Sequence, residues 1–401
     1  MRNVKTASTT SQYPLGQNLI WMMAVTSGAA AANLYYNQSL LVLIAENFHI
    51  PAHTTGLIPM LTQIGYAVGI FLLVPLGDLL ERRRLILLML GASALALGTA
   101  AVSPNLTWLL LASLAIGITT ISAQLIVPFA AQLAKPQERG KVVGTVMSGL
   151  LIGILLARTV SGCVGAKLGW QAMYWLASAV MIVLASVLSR LLPKSQSSLR
   201  VSYLNLMGSL FELIQKQPAL REAALTGAMS FAAFSVFWST LVFFLAGPPY
   251  DYGSEIAGLF GLVGVVGAMA APIVGKLADK RNPKITAGLG LLITTSSFLI
   301  FWVFGHQILG LIVGVILLDL GVQSTQISNQ VRIYSLPPEL HSRLNALYIT
   351  FYFIGGALGS YLGTSGWSHW QWNGVCVVAL LMLLIAFTIF LKPNQDREKP
   401  E

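Results

Sequence analysis

Nearly all the lysine and arginine of this chain falls in every second gap between its long apolar runs, and that alternation constrains the fold more than any other feature. Arg2 and Lys5 precede the first run, and Arg82, Arg83 and Arg84 separate the second from the third. Lys135, Arg139 and Lys141 follow the fourth run; Lys194, Arg200, Lys216 and Arg221 follow the sixth. Lys276, Lys280, Arg281 and Lys284 come after the eighth, Arg343 after the tenth, and Lys392, Arg397 and Lys399 after the last. Arg190 and Arg332 stand at nearby helix ends. Only Lys167 falls in an opposite gap, and only Arg158 sits well inside a run. Loops on the cytoplasmic side of a membrane carry such an excess of positive charge. The pattern predicts that both termini are cytoplasmic, which requires an even number of crossings.

A chain that is 55% hydrophobic and 9% charged, with mean hydropathy +0.73, lies far outside the range of soluble domains. About 20 apolar residues span a bilayer core. Twelve such runs are present, at roughly 19–45, 55–76, 85–103, 105–130, 142–166, 170–192, 221–246, 256–276, 285–304, 307–330, 344–364 and 370–391. The expected fold is an all-α membrane protein of twelve transmembrane helices, multi-pass in the cell (inner) membrane. The first run is too long for a cleaved signal peptide. The net charge of +10 lies in short loops beside spans, so it points to orientation and anionic lipid headgroups rather than to nucleic acid. Cys163 and Cys376 stand alone among apolar neighbours, which suggests buried thiols and no metal site. No phosphate-binding loop or His-Glu-x-x-His pattern occurs, so no cofactor, no metal and no enzyme chemistry are expected.

The chain repeats itself once, weakly but in register. Asp78 ends Val-Pro-Leu-Gly-Asp after the second span and Asp279 ends Gly-Lys-Leu-Ala-Asp after the eighth, about 200 residues later. At the same offset Asn33, Tyr36 and Asn37 fall on Phe234, Phe237 and Trp238, and Gln124 falls close to Gln326. Spans two, five, eight and eleven carry Gly65/Gly69, Gly149/Gly153, Gly261/Gly264/Gly267 and Gly355/Gly359/Gly363, spacings that let helices approach closely in lipid. Two pseudo-symmetric six-helix bundles follow, residues 19–192 and 221–391, between a segment 1–18 and a tail 392–401. The linker 193–220 has Leu204, Met207, Phe211 and Ile214 on one helical face. It reads either as a helix on the membrane surface or as a solvated connection.

These halves, the central linker and the loop motif resemble the major facilitator superfamily across nearly the whole chain. The family signature between spans two and three is Gly-x-Leu-Ala-Asp-Arg-x-Gly-Arg-Arg. Here Val74-Pro75-Leu76-Gly77-Asp78-Leu79-Leu80-Glu81-Arg82-Arg83 keeps the Asp and both final arginines, while Val74 and Glu81 replace glycines. Gly275-Lys276-Leu277-Ala278-Asp279-Lys280-Arg281 is the second copy. The resemblance implies a cytoplasmic gate at Asp78, Arg82, Arg83, Asp279, Lys280 and Arg281, a latch made between a carboxylate at a helix end and a basic loop. An ordinary surface ion pair is the alternative. Span five is similar to the family's antiporter signature, with Gly144, Gly153 and Gly162 in place and Ala157-Arg158 where Gly-Pro is usual. The resemblance therefore extends to bacterial drug- and sugar-efflux proton antiporters. In span four, where family members often carry an arginine four residues before a glycine, this chain has Ser113 before Gly117.

Ionisable side chains inside a span are costly and mark function by default. Asp319 lies about twelve residues, or 18 Å, from the end of span ten, near the middle of a core about 30 Å thick. Asp319, Gln323, Gln326 and Gln330 share one helix face, and a stripe of four polar groups does not face lipid. It forms either a substrate-binding wall with a proton-accepting carboxylate or a polar cluster tying spans together. Arg158 is expected to face inward, as an alternating partner of Asp319 or as an anchor for an anionic substrate. Asn33, Tyr36 and Asn37, with Phe234, Phe237 and Trp238 opposite and Gln124 adding polarity, suit an amphipathic substrate. The expected activity is secondary active export of a small drug-like, amphipathic or sugar-like molecule by alternating access, in exchange for protons. Proton-coupled uptake or facilitated exchange of a sugar or organic acid is the alternative, with a non-transporting receptor behind it. Nothing in the sequence requires more than a monomer.

Overall fold

A computed structural model describes residues 16–194, 202–269, 282–337 and 340–391, apart from the side chains of Asp78 and Ala268. Asp279, Lys280 and Arg281 of the second loop motif lie outside the described residues. Every described regular element is helical. The N-terminal half contains α1 (Gln17–Ala32), α2 (Tyr36–Phe48), α3 (Ala52–Thr55), α4 (Leu57–Leu73), α5 (Leu76–Leu79) and α6 (Arg82–Ala101). It continues with α7 (Leu106–Thr119), α8 (Ser122–Leu133), α9 (Arg139–Leu168) and α10 (Trp170–Leu191). After a linker helix, α11 (Tyr203–Lys216), come α12 (Pro218–Ala246), α13 (Ser254–Met269), α14 (Pro283–Phe304), α15 (Ile308–Tyr334) and α16 (His341–Phe390).

These helices make twelve spans, though not one helix per span. Among the described residues nine continuous helical stretches are long and apolar enough to cross a membrane. One of them, α16, runs for 50 residues, about 75 Å at 1.5 Å per residue, and is broken by non-helical backbone at Trp370 and Gln371. It therefore supplies spans eleven and twelve. Span one is shared by α1 and α2, span four by α7 and α8, and α13 is span eight. The sequence reading treated spans one and four as unbroken. The break at Asn33-Leu34-Tyr35 comes from three successive i→i−3 backbone hydrogen bonds, which tighten the last turn of α1 and re-aim α2.

Glycine sets how close the helices come, and mostly within a bundle. The Cα of Gly28 on α1 lies against Gly149 and Gly153 on α9, where an added Cβ would collide with backbone. Gly355 and Gly359 on α16 meet the backbone of Ala228 and Ala232 on α12 in the same way. Of the three signature glycines in span five, only Gly162 packs across the bundles, against Ser254 and Gly258 of α13. Gly153 serves its own bundle, and Gly144 is exposed with open space where a side chain would go, so no close approach depends on it. The two halves meet along α9 with α13 and α4 with α16. On α9 the seam loosens toward the basic-loop end: Gly162 is buried and Thr159 half-buried, whereas Ser148 and Gly144 are exposed.

The basic loops are pinned to helix ends. Arg82 donates to the Gly77 carbonyl at 3.0 Å and to Gln132 Oε1 at 3.1 Å, and Arg83 donates to the Ser189 carbonyl. In the second half, Glu222 at the start of α12 pairs with Lys284 Nζ at 3.1 Å and Arg332 Nη2 at 3.0 Å. The linker helix α11 presents Leu206, Leu210 and Leu213 to the protein, against Val74, Pro75 and Ala346. On the stripe noted in the sequence, Leu204 and Phe211 are exposed while Met207 and Ile214 are half-buried against the core. Both stripes are apolar, so periodicity alone did not distinguish the protein-facing side.

Candidate functional site

The centre of the molecule is built where the broken first span, α9, α12 and α15 converge. Arg158 on α9 is 2% exposed. Its Nε donates to Gln38 Oε1 at 2.7 Å, and its guanidinium carbon lies 3.9 Å from the ring centre of Trp238, 5.0 Å from Tyr35 and 5.5 Å from Phe234. This is a cage of π faces around a cation, an arrangement worth roughly 2 kcal/mol when desolvated. The turn at Asn33-Leu34-Tyr35 sets Tyr35 there, and Ser39 Oγ holds the Arg158 carbonyl at 3.0 Å. Two cage members come from α12 in the other half, so the cation bridges the bundles. Arg158 Nη2 has no protein partner.

Asp319 on α15 is 4% exposed, and its Oδ2 has no protein partner. Gly264 and Gly267 of α13 make the space it occupies: a Cβ at Gly264 would stand 2.9 Å from Oδ2, and one at Gly267 3.0 Å from the Asp319 Cβ. No ion pair within 4.0 Å joins Asp319 to Arg158, although each is close enough to act electrostatically on the other. The sequence left open whether they touch; in this conformation the cation is held by aromatic rings and an amide instead. Asn33, Asn37 and Trp238 also carry buried polar atoms without protein partners: both amide atoms of Asn33, Asn37 Oδ1 and Trp238 Nε1.

The remaining candidates divide. Asn37 Nδ2 donates to Thr62 Oγ1 at 3.1 Å, and Tyr36 is buried beside it in sequence. Gln124 Nε2 donates to Tyr66 Oη at 3.1 Å, and Tyr66 packs edge-on against Phe353 of the other half at 4.5 Å. Gln326 accepts from Tyr352 Oη at 3.3 Å, while Gln323 and Gln330 are half-buried on the same face. Phe237 does not join them. It stacks on Phe301 at 4.4 Å inside the second bundle, because one helical step separates it from the face carrying Phe234 and Trp238.

Gln38 and Gln63 are functional candidates that the sequence pattern does not single out. From α4, Gln63 Nε2 donates to Ser360 Oγ of α16 at 2.8 Å, and its Oε1 accepts from Ser235 Oγ of α12 at 3.4 Å. Ser239 Oγ also donates to Ser360 Oγ, at 2.9 Å. A single amide thus reaches across the seam into a serine cluster of the other half. Small hydroxyls facing small residues are its only sequence trace, which is weak in any membrane protein.

The family profile described as Major Facilitator Superfamily matches residues 21–360, most of the chain. The chain belongs to the major facilitator superfamily. It is accordingly a multi-pass membrane transporter and not an enzyme. The uncharacterised transporter YgaY of Escherichia coli O157:H7 is 44% identical over 391 residues, covering 97% of this chain and 99% of its own. The MFS-type transporter YybF of Bacillus subtilis strain 168 is 24% identical over 372 residues, 88% of each chain. Among solved structures, an inward-facing, unoccupied bacterial homologue of the human lysosomal transporter Spinster aligns with a TM-score of 0.76 at 15% identity, over 92% of this chain and 95% of that one. The nucleoside transporter NupG aligns at 0.72 with 12% identity, over 92% and 100%. At such identities the likeness is one of fold.

Proposed function

We propose that this chain is a secondary active transporter that moves a small organic molecule by alternating access and couples that movement to protons at Asp319. One observation carries the reading: a fully buried carboxylate with an unpartnered oxygen sits on α15, lodged against glycines of the seam helix α13. A charge in that position is costly, so its protonation state weighs heavily on which way the bundles face. Asn33, Asn37, Tyr36, Gln124, Phe234 and Trp238 supply the substrate walls, with Gln323, Gln326 and Gln330 continuing the polar face. Residues 19–192 and 221–391 act as the rocking units about the linker 193–220, as a monomer in the inner membrane with both tails cytoplasmic. Asp78, Arg82 and Arg83, with the second loop motif, latch the cytoplasmic end.

Export in exchange for protons is the first sense, supported by the likeness of span five to the antiporter signature. Proton-coupled movement of an organic acid is the second, favoured by Arg158, a buried cation without a carboxylate partner. Counterflow in inverted vesicles separates the two. Asp319→Asn should abolish proton-coupled accumulation in everted vesicles while the protein remains folded in the membrane. Unchanged coupling in that variant removes Asp319 from the mechanism. The substrate to use in it comes from a growth screen across drugs, sugars, amino acids and organic acids in cells lacking or overproducing the protein.

A further inference from the structure

Arg158 poses a problem of charge balance. A guanidinium buried near the middle of a bilayer is tolerated when paired with an anion and hydrogen-bonded throughout. Here it has one amide oxygen and three aromatic faces, and one of its terminal nitrogens has nothing. The rings of Tyr35, Phe234 and Trp238 stabilise the cation without neutralising it. The nearest carboxylate in function, Asp319, stands beyond ion-pair distance with an unpartnered oxygen of its own. A guanidinium and a carboxyl group are therefore held in one buried core, each with an open hydrogen-bonding position, and neither satisfies the other.

We propose that Arg158 is the anchor for the carboxylate of an anionic, amphipathic substrate, and that one proton on Asp319 accompanies each substrate through the membrane. This rests on the reading of the chain as a proton-coupled transporter and selects its organic-acid sense. The planar fork of Arg158 presents a bidentate surface to a carboxylate once Nη2 is engaged. The aromatic rings that now cage the cation become the apolar wall for the substrate's body, and the free amide of Asn33 adds a donor. The coupling follows from charge. With Asp319 ionised and no substrate, the centre sums to zero. A bound carboxylate makes it negative, and protonation of Asp319 returns it to zero. The empty and the doubly loaded centres are neutral and free to reorient, whereas each singly loaded centre carries a net charge that the apolar seam opposes. Among the described residues, the titratable or charged groups that act on Asp319 are Arg158 from α9 and Tyr352 from α16, and α13 brings Gly264 and Gly267 against it.

The test uses the full chain in nanodiscs with tritiated benzoate at mildly acidic pH, and hexanoate, lactate, benzamide and benzylamine as competitors. Saturable benzoate binding is expected, displaced by the carboxylates and not by the amide or the amine, with one proton taken up per benzoate. Arg158→Gln should weaken binding by at least about tenfold, the scale of a lost bidentate charged contact. Arg158→Lys should fall between, which shows that loss of charge and not loss of fold is being read. Asp319→Asn should bind benzoate without proton uptake. Four results would overturn the proposal: no saturable binding of any of the three carboxylates, equal displacement by benzamide, full binding in Arg158→Gln, or binding by the native chain without proton uptake. Proton uptake that survives Asp319→Asn overturns the Asp319 half of the proposal together with the proton site of the proposed function, and leaves an Arg158-dependent anion site standing. The two failures are thereby told apart.

Discussion

Removing Gln63 should loosen the seam at the end away from the basic loops, by an amount that can be worked from its bonds. Its side chain donates to Ser360 at 2.8 Å and accepts from Ser235 at 3.4 Å, and both partners belong to the opposite bundle. Hydrogen bonds between spans average about 0.6 kcal/mol and reach about 1.7 kcal/mol. One short and one long bond together give roughly 1–2 kcal/mol to the closed arrangement, and nothing to an arrangement in which α4 and α16 part. Gln63→Ala should therefore raise the open population roughly five- to thirtyfold. A reporter cysteine at Thr364, fully buried beside Gly56 at that end of the seam, converts the population into a rate. Modification by a membrane-impermeant maleimide from that face should accelerate by the same factor. Ser239→Ala is the control, since its bond to Ser360 stays within one bundle and should leave the labelling rate nearly unchanged. A Gln63→Ala protein that is folded and labels at the native rate refutes the reasoning.

The glycine contacts make an opposed pair: Gly153→Val pushes a side chain into the backbone of Gly28 and should cost roughly 1–3 kcal/mol, while Gly144→Ala should stay within about 0.5 kcal/mol, both read as thermal unfolding in detergent. Equal melting of the two variants would contradict the packing described. Glu222→Gln should destabilise by roughly 2–3 kcal/mol, since Lys284 and Arg332 lose their shared carboxylate and Lys284, 29% exposed, recovers only part of its hydration. A melting curve matching the native chain would show that the trio contributes nothing.

The all-helical, multi-pass membrane fold was legible because it rests on local arithmetic, the length of the apolar runs and the helical period. What lay beyond the sequence depends on which residues arrive opposite one another. The surroundings of Arg158 are an example, since Phe234 and Trp238 reach it from the other half of the chain. Phe237, in the same five-residue stretch, stacks instead on Phe301 and meets Trp238 only edge-on. On α11 leucines occupy both faces, and no single-helix pattern says which meets protein. Gly144 and Gly162 read alike in span five, yet only Gly162 has a neighbour for which its missing side chain matters. The break after Ala32 was hidden for a related reason: Asn and Tyr do not stop helices by themselves, and the tight turn is paid for by burial of Tyr35 against the guanidinium.

Helix α12, which supplies two rings of the cage, is buried over most of its length, whereas α9, which carries the cation, has few buried residues outside the stretch around Arg158. The central charge is therefore mounted on a strut open to its surroundings and gripped by one insulated from them. Acyl-chain length and lateral pressure act on the first and scarcely on the second. The host lipid is in that sense part of the machine, and turnover measured in bilayers of different thickness should vary even where substrate and proton gradient are held constant.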